Sequence, residues 1–224
     1  MKPSTTLFIK KELEMTNQKF EITDIAHEKY PFLYRIRALR DIGTEVKAGD
    51  LGGFVEHEGN LSFEPGDDAW VYDDAIVAGD GCVEKNAAIR NQAVVCGHAC
   101  VSREATLGEN ARAEDDAYIR GASMYGSARA SGQSMILSSP DDPLCAPALY
   151  GQCCVYGKVI GDVHIRGQAV IVSNEEVCNR SLDVILIDGQ SRTVLRNLER
   201  DVLRPRQIKQ AEKEKKPKQR ETVR

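Results

Sequence analysis

The sequence predicts an all-β chain wound into a triangular solenoid of parallel strands, with about 18 residues to the coil. Three observations predict it. Small residues recur every six positions, at Ala69, Ala75, Gly81, Ala87, Ala93, Ala99, Ala105, Ala111 and Ala117. Two residues after each stands an apolar side chain: Val71, Val77, Val83, Ile89, Val95, Val101, Leu107, Ala113 and Ile119. Turn formers such as Tyr72-Asp73-Asp74 and Arg90-Asn91-Gln92 fill the gaps. A helix would need apolar residues at sustained three- and four-residue spacings. A hairpin sheet would show longer alternating runs between two-residue turns. Very short strands with a corner every six residues instead turn the chain through three flat faces. Successive coils then stack at the ordinary strand separation of about 4.8 Å. Only small and branched side chains fill so thin a prism, and no coil buries its apolar edge alone, so stability comes from stacking.

The elements follow in order. Residues 1–19 read as a disordered leader. Lys11-Glu12 can be encoded by a purine-rich ribosome-binding sequence, which makes Met15 the expected initiator. Residues 20–62 form an N-terminal cap, needed because an open solenoid exposes sheet edges. Within it Tyr34-Arg35-Ile36-Arg37-Ala38-Leu39 alternates like a strand, and Gly49-Asp50-Leu51-Gly52-Gly53 leads into the first coil. Residues 63–137 carry the main coils. One residue is dropped before Ala122, and the pattern resumes through Met124, Ala128, Ala130, Ser134 and Ile136. Pro140, Pro143 and Pro147 forbid ladder pairing, so 138–150 is expected to be an excursion loop. Residues 151–172 give one more coil through Cys153, Val155, Val159, Val163, Ile165, Ala169 and Ile171, with a register slip between Val159 and Val163. A C-terminal cap spans 173–203: a strand at Val184-Ile185-Leu186-Ile187, a turn at Asp188-Gly189, then a short helix from the spacing of Val194, Leu195, Leu198 and Val202. Residues 204–224 read as a basic disordered tail.

Composition narrows the function. The net charge of −4 hides an asymmetry, because residues 204–224 hold nine Lys or Arg against three Glu and leave −10 on the body. A body that acidic repels phosphate backbones, so nucleic acid is expected to touch at most the tail. No apolar run reaches the roughly 20 residues of a membrane-spanning helix. Seven cysteines without a recognisable export signal point to reduced thiols in a cytoplasm. Histidines and cysteines lack metal-ligand spacing, and no Gly-rich phosphate loop is present.

The apolar-x-Gly/Asp/Asn-x-Ala-x units resemble the hexapeptide repeat of left-handed parallel β-helix proteins. The segments Tyr34 to Ile42, Asp50-Leu51-Gly52-Gly53-Phe54-Val55-Glu56 and Asn60-Leu61-Ser62 precede that run. Together they resemble the YdcK-like hexapeptide proteins of enteric bacteria and their shorter phage and prophage relatives, over about residues 20–172. Many of these carry an acyltransferase label on fold alone, which is weak evidence of chemistry. The resemblance implies side-by-side prisms in a homotrimer, acyl-CoA in the groove between prisms, a histidine base and a loop folded over the acceptor.

Residues 18 apart stack in columns, and one corner column reads Asp80, His98, Asp116. Flanking carboxylates would favour and orient the imidazolium, as a general base requires. The plainer reading is an exposed turn histidine on a generally acidic corner. His164 should point outward from a flat face, and His27 and His57 sit in the cap without partners. Cys82 and Cys100 occupy equivalent outward positions one coil apart, within disulfide reach by Cα distance but expected to be reduced, and Tyr118 continues their column. Ile76 and Val94 form a second outward column, and Trp70 begins a third. Outward apolar columns fit a protein contact. Two functions follow. The first is a non-catalytic scaffold binding a protein partner, or a second copy of itself, through its flat faces. The second is an acetyl-CoA-dependent acyltransferase with His98 as base and Asp80 or Asp116 as its orienting group.

Overall fold

A computed structural model describes residues 16–196. Its strands form three sheets of nine, eight and six members. The first face stacks Ile76–Val77, Val94–Val95, Arg112–Ala113, Arg129–Ala130, Cys154–Val155 and Val170–Ile171 in parallel. The second runs from Trp70–Val71 through Ala88–Ile89, Thr106–Leu107, Ser123–Met124 and Ala148–Leu149 to Val163–Arg166 and Val184–Asp188. The third holds Cys82–Val83, Cys100–Ser102, Tyr118–Arg120, Met135–Leu137, Lys158–Ile160 and Glu176–Cys178. The chain is thus the expected all-β parallel solenoid.

Register follows the repeat. Ile76 pairs with Val94 and Val94 with Arg112, each 18 residues on. The step shortens to 17 at Arg112 and Arg129, where the sequence drops a residue. It is 16 from Cys154 to Val170. Every inward residue of the repeat is buried, from Ala69 and Val71 to Ala117 and Ile119. Ser134 is the exception in kind: it takes an alanine position, and its fully buried hydroxyl has no hydrogen-bond partner among the described residues.

Non-repeating chain extends the first face at the N-terminal end and the second face at the C-terminal end. Phe20–Ala26 and Tyr34–Ala38 form an antiparallel pair, and Leu51–Val55 joins them to the solenoid by running antiparallel to Tyr34–Ala38 and parallel to Ile76–Val77. Glycine is required at two positions of that last strand. A Cβ at Gly52 would lie 2.6 Å from the Val71 carbonyl oxygen and 2.8 Å from the Trp70 ring, and one at Gly53 2.5 Å from the Ala75 carbonyl oxygen. This close approach corrects the expectation for Trp70. The side chain is 1% exposed, because the cap lies over it and Phe20 meets it edge-on at 6.4 Å. Lys19, placed by the sequence in the leader, is also 1% exposed, and its Nζ donates to the Ser62 carbonyl at 2.7 Å. Asn17, also placed in the leader, is ordered too, its Oδ1 accepting the N–H groups of Lys19 and Phe20, while residues 1–15 with the Met15 start lie outside the described residues.

The proline-rich excursion is shorter than expected, since Ala148–Leu149 already forms a strand pairing with Ser123–Met124 and Val163–Arg166. At the other end Val184–Asp188 turns at Gly189 (φ +57) into Ser191–Leu195, its antiparallel partner. Val194 and Leu195 therefore lie in a strand, not a helix. A hairpin satisfies their backbone groups at once, whereas a helix would have to nucleate alone. Leu198, Val202 and the basic tail lie outside the described residues.

Ser134→Ala removes an unpaired buried hydroxyl and should stabilise the fold by about 1 kcal/mol, read as a higher urea midpoint at unchanged slope. Lys19 gives a pH-dependent counterpart. Burial pushes its pKa from an ordinary 10.5 down to about 8, against the opposing pull of Asp67. The folded value lies below the unfolded one, so the charged form costs stability below pH 8, and that cost is relieved as pH rises toward about 10. Lys19→Met should accordingly gain most over the native chain at neutral pH and lose that advantage at high pH in paired urea titrations.

Candidate functional site

The corner between the first and third faces stacks Gly79-Asp80, Gly97-His98, Asp115-Asp116 and Gly132-Gln133. The first residue of each pair has positive φ. Interstrand bonds fix the backbone, among them His98 N–H to the Asp115 carbonyl at 2.7 Å. The Asp115 carboxylate accepts from Ser131 Oγ at 2.6 Å and Gly132 N–H at 2.8 Å, and these bonds hold it below the usual carboxylate range. The following side chains fan outward from a convex edge. His98 Nδ1 reaches Asp80 Oδ2 at 3.2 Å, with the two side chains 67% and 73% exposed. Asp116 makes no ion pair with His98 among the described residues, so the structure assembles two of the three expected groups. The contact is bathed in water, where an ion pair is worth about 0–1 kcal/mol.

The other histidines are engaged elsewhere. His27 Nδ1 accepts the N–H groups of Lys29 and Tyr30, closing the turn of the first hairpin. His57 Nε2 is 2.9 Å from the Gly79 carbonyl oxygen, beside Asn60, whose side-chain amide also reaches that oxygen. His164 points outward as expected, but its Nε2 lies 3.2 Å from Oδ1 of Asp162, a carboxylate only 6% exposed. The sequence reading missed this pair. Its signal was an aspartate two residues before an outward histidine, at the slip after Val159.

A depression of about 590 Å³ follows the corner between the second and first faces, lined by Asp73, Asp74, Asn91, Gln92, Glu109 and Asn110. Its acidity has a structural cause. Asp73 Oδ2 accepts Asn91 N–H at 2.9 Å, Asn91 Oδ1 accepts Glu109 N–H at 3.0 Å, and Glu109 Oε2 accepts Gly126 N–H at 2.7 Å. Each coil thereby caps the strained turn of the next. Among the described residues no group of three His, Cys, Asp or Glu side chains is placed to hold a metal ion, and no helix is long and apolar enough to cross a membrane.

The most built surface lies where the N-terminal hairpin overhangs the first face. Ile25, His27, Arg35, Phe54, Asp74 and Ile76 line a depression of about 470 Å³. Arg35 organises it: the guanidinium sits 4.3 Å over the Phe54 ring, Nη1 donates to the carbonyls of Gly52 and Asp73, and Nη2 pairs with Asp74 at 2.6 Å. His27 packs edge-on to Phe54 at 4.6 Å, and Tyr30 and Phe32 stand exposed on the same hairpin turn. Ile76 and Val94 are half-buried ladder partners, so Phe54, Ile76 and Val94 form one continuous apolar column. The sequence supplied Ile76 and Val94 but not the overhang, which depends on the pairing of three cap strands. On the third face Cys82 and Cys100 are ladder partners, and both thiols are free.

No family model and no curated protein matches the chain.

His98→Ala should leave the urea midpoint within about 0.5 kcal/mol of the native chain, the range for exposed substitutions. A larger loss would mean that the Asp80 contact supports the corner.

Proposed function

We propose that the protein is a non-catalytic solenoid that docks a protein partner on its first face. The observation that supports this is the Phe54–Ile76–Val94 column, which runs into the depression beneath the N-terminal hairpin. An apolar stripe ending in a walled pocket offers an anchor point, and buried anchors carry most of the energy of a contact. Arg35 already neutralises Asp74, and Glu28 also lines the pocket, so the complementary partner presents an apolar side chain with a cation placed toward Glu28. A second copy of the chain is the other occupant, and a homotrimer would pack such faces together. The near-consecutive six-residue units resemble those of the left-handed hexapeptide proteins, and the cap residues resemble those of the YdcK-like and phage or prophage members. On that reading the partner belongs to a host cell and the contact is made in the cytoplasm.

Ile76→Asp and Val94→Asp should each abolish association, read as loss of capture by immobilised protein and as a lower mass in light scattering. Retained association in both would overturn the assignment of this face.

The His98–Asp80 contact favours a second reading, acetyl transfer from acetyl-CoA to a hydroxyl or amine, with His98 taking the acceptor proton. Calorimetric titration of acetyl-CoA into native and His98→Ala protein separates the two. Saturable heat in the native chain supports the acyltransferase; none at high ligand concentration supports the interaction module.

A further inference from the structure

The third face holds a chemical feature that neither reading uses. Cys82 and Cys100 are directly opposed in the parallel ladder between Cys82–Val83 and Cys100–Ser102. Their Cα atoms are therefore separated by the strand spacing of about 4.8 Å, inside the 4.4–6.8 Å window that a disulfide spans. Tyr118 occupies the next position of the column, so the thiols form an isolated pair. Both side chains are half-buried and both thiols are free. Cys82 also borders a depression of about 290 Å³, lined with Phe63, Glu64 and Glu84 among others, which opens a path for a small reagent.

We propose that Cys82 and Cys100 are a dithiol that exchanges with a low-molecular-weight disulfide and closes into a bond between neighbouring coils. In the first step the Cys82 thiolate attacks one sulfur of the disulfide, forming a mixed disulfide and expelling one thiolate, which takes a proton from water. Cys100, as its thiolate, then attacks Cys82 Sγ and expels the second thiol. The protein loses two electrons and two protons, and the reagent is reduced to two thiols. The ladder brings the two Cα atoms within the reach of a disulfide.

The depression that Cys82 borders sets this order of attack, and the electrostatics of the pair favour a first ionisation. The thiols share a hydrogen bond that pulls the Cys82 pKa down and pushes that of Cys100 up, so the pair gives up its first proton easily and its second reluctantly. Lys85 adds a smaller pull toward thiolate at both, opposed by Glu84. Burial pushes Cys96 up, and pushes Cys153 up to about 11. Because Glu64 and Glu84 line the approach, an uncharged disulfide is the better reagent than an anionic one.

The test equilibrates the full-length chain with 2-hydroxyethyl disulfide, blocks remaining thiols and maps the products by mass spectrometry. Cys96 and Cys100 fall in one tryptic peptide, Asn91 to Arg103, so a Cys96→Ser chain is run in parallel. The expected product in both is a peptide pair joined through Cys82 and Cys100, lighter than the reduced pair by two hydrogens. Cys100→Ser should stop the reaction at a hydroxyethyl adduct on Cys82, with no bridged peptide pair. Adducts without a bridge in the native chain overturn the proposal, as does a bridge that survives Cys82→Ser. Circular dichroism on each variant establishes that it is folded before its chemistry is read.

Discussion

The spacing between parallel strands governs this molecule. One coil advances by about 4.8 Å, and that single distance leaves no room for a conventional core. Each level must be filled by its own few inward side chains, so the corner takes Ala and the strand takes Val, Ile or Leu. A larger corner residue would collide with the coils above and below, and a smaller strand residue would leave a void that its rigid neighbours cannot close. The consequence reaches outward as well. Since every coil repeats the backbone of the last, outward side chains at equivalent positions stand in register and act on one another as columns.

The corners carry the second constraint. Residues turned through positive φ point an N–H along the stack, and that donor needs an acceptor one coil away. Asp73, Asn91 and Glu109 supply it in succession. Asp67 does the same at another corner, accepting from Ala69, Lys85 and Asn86; although burial pushes its pKa up, these backbone bonds hold it below the usual carboxylate range. Much of the acidity of the body is therefore architecture. A histidine set among such residues acquires acidic neighbours whether or not it has a reaction to perform, so an acidic column around His98 does not by itself mark a catalytic site.

What the sequence disclosed, and what it hid, divides along the same line. The inward residues from Ala69 to Ile171, the shortened coil before Ala122 and the slip after Val159 all leave a mark on the six-residue period. Trp70 left none: its outward position in the repeat is genuine, but Phe20 and Gly52 bury it by packing from the cap. Val194 and Leu195 fit a helix or a strand equally well, and only the turn at Gly189 and the partner strand decide between them. Asp116 belongs to the expected column, yet the imidazole of His98 turns its Nδ1 to Asp80 in the preceding coil. Arg35 needed three strands to be placed before its bonds to Asp73, Asp74 and Gly52 existed.

Columns also show where a solenoid can and cannot build a site. Along one edge Arg90 lies 3.8 Å over the Tyr72 ring, Gly108 vacates the space that the Tyr125 ring enters, Tyr125 stacks on Tyr150, and Arg166 pairs with Asp188. Flat groups fill such an edge because planar stacking matches the coil interval, and once filled it presents a smooth wall. The repeating corners line only a polar depression, so an apolar one comes from chain that departs from the repeat. Here the hairpin over Phe54 and Ile76 does so, and it encloses the ring of Phe54 and the guanidinium of Arg35 where no coil could. The repeating part supplies rigidity and register, while the non-repeating cap supplies shape. The docking proposal accordingly rests on the junction of the two, the place where this fold makes an apolar concavity.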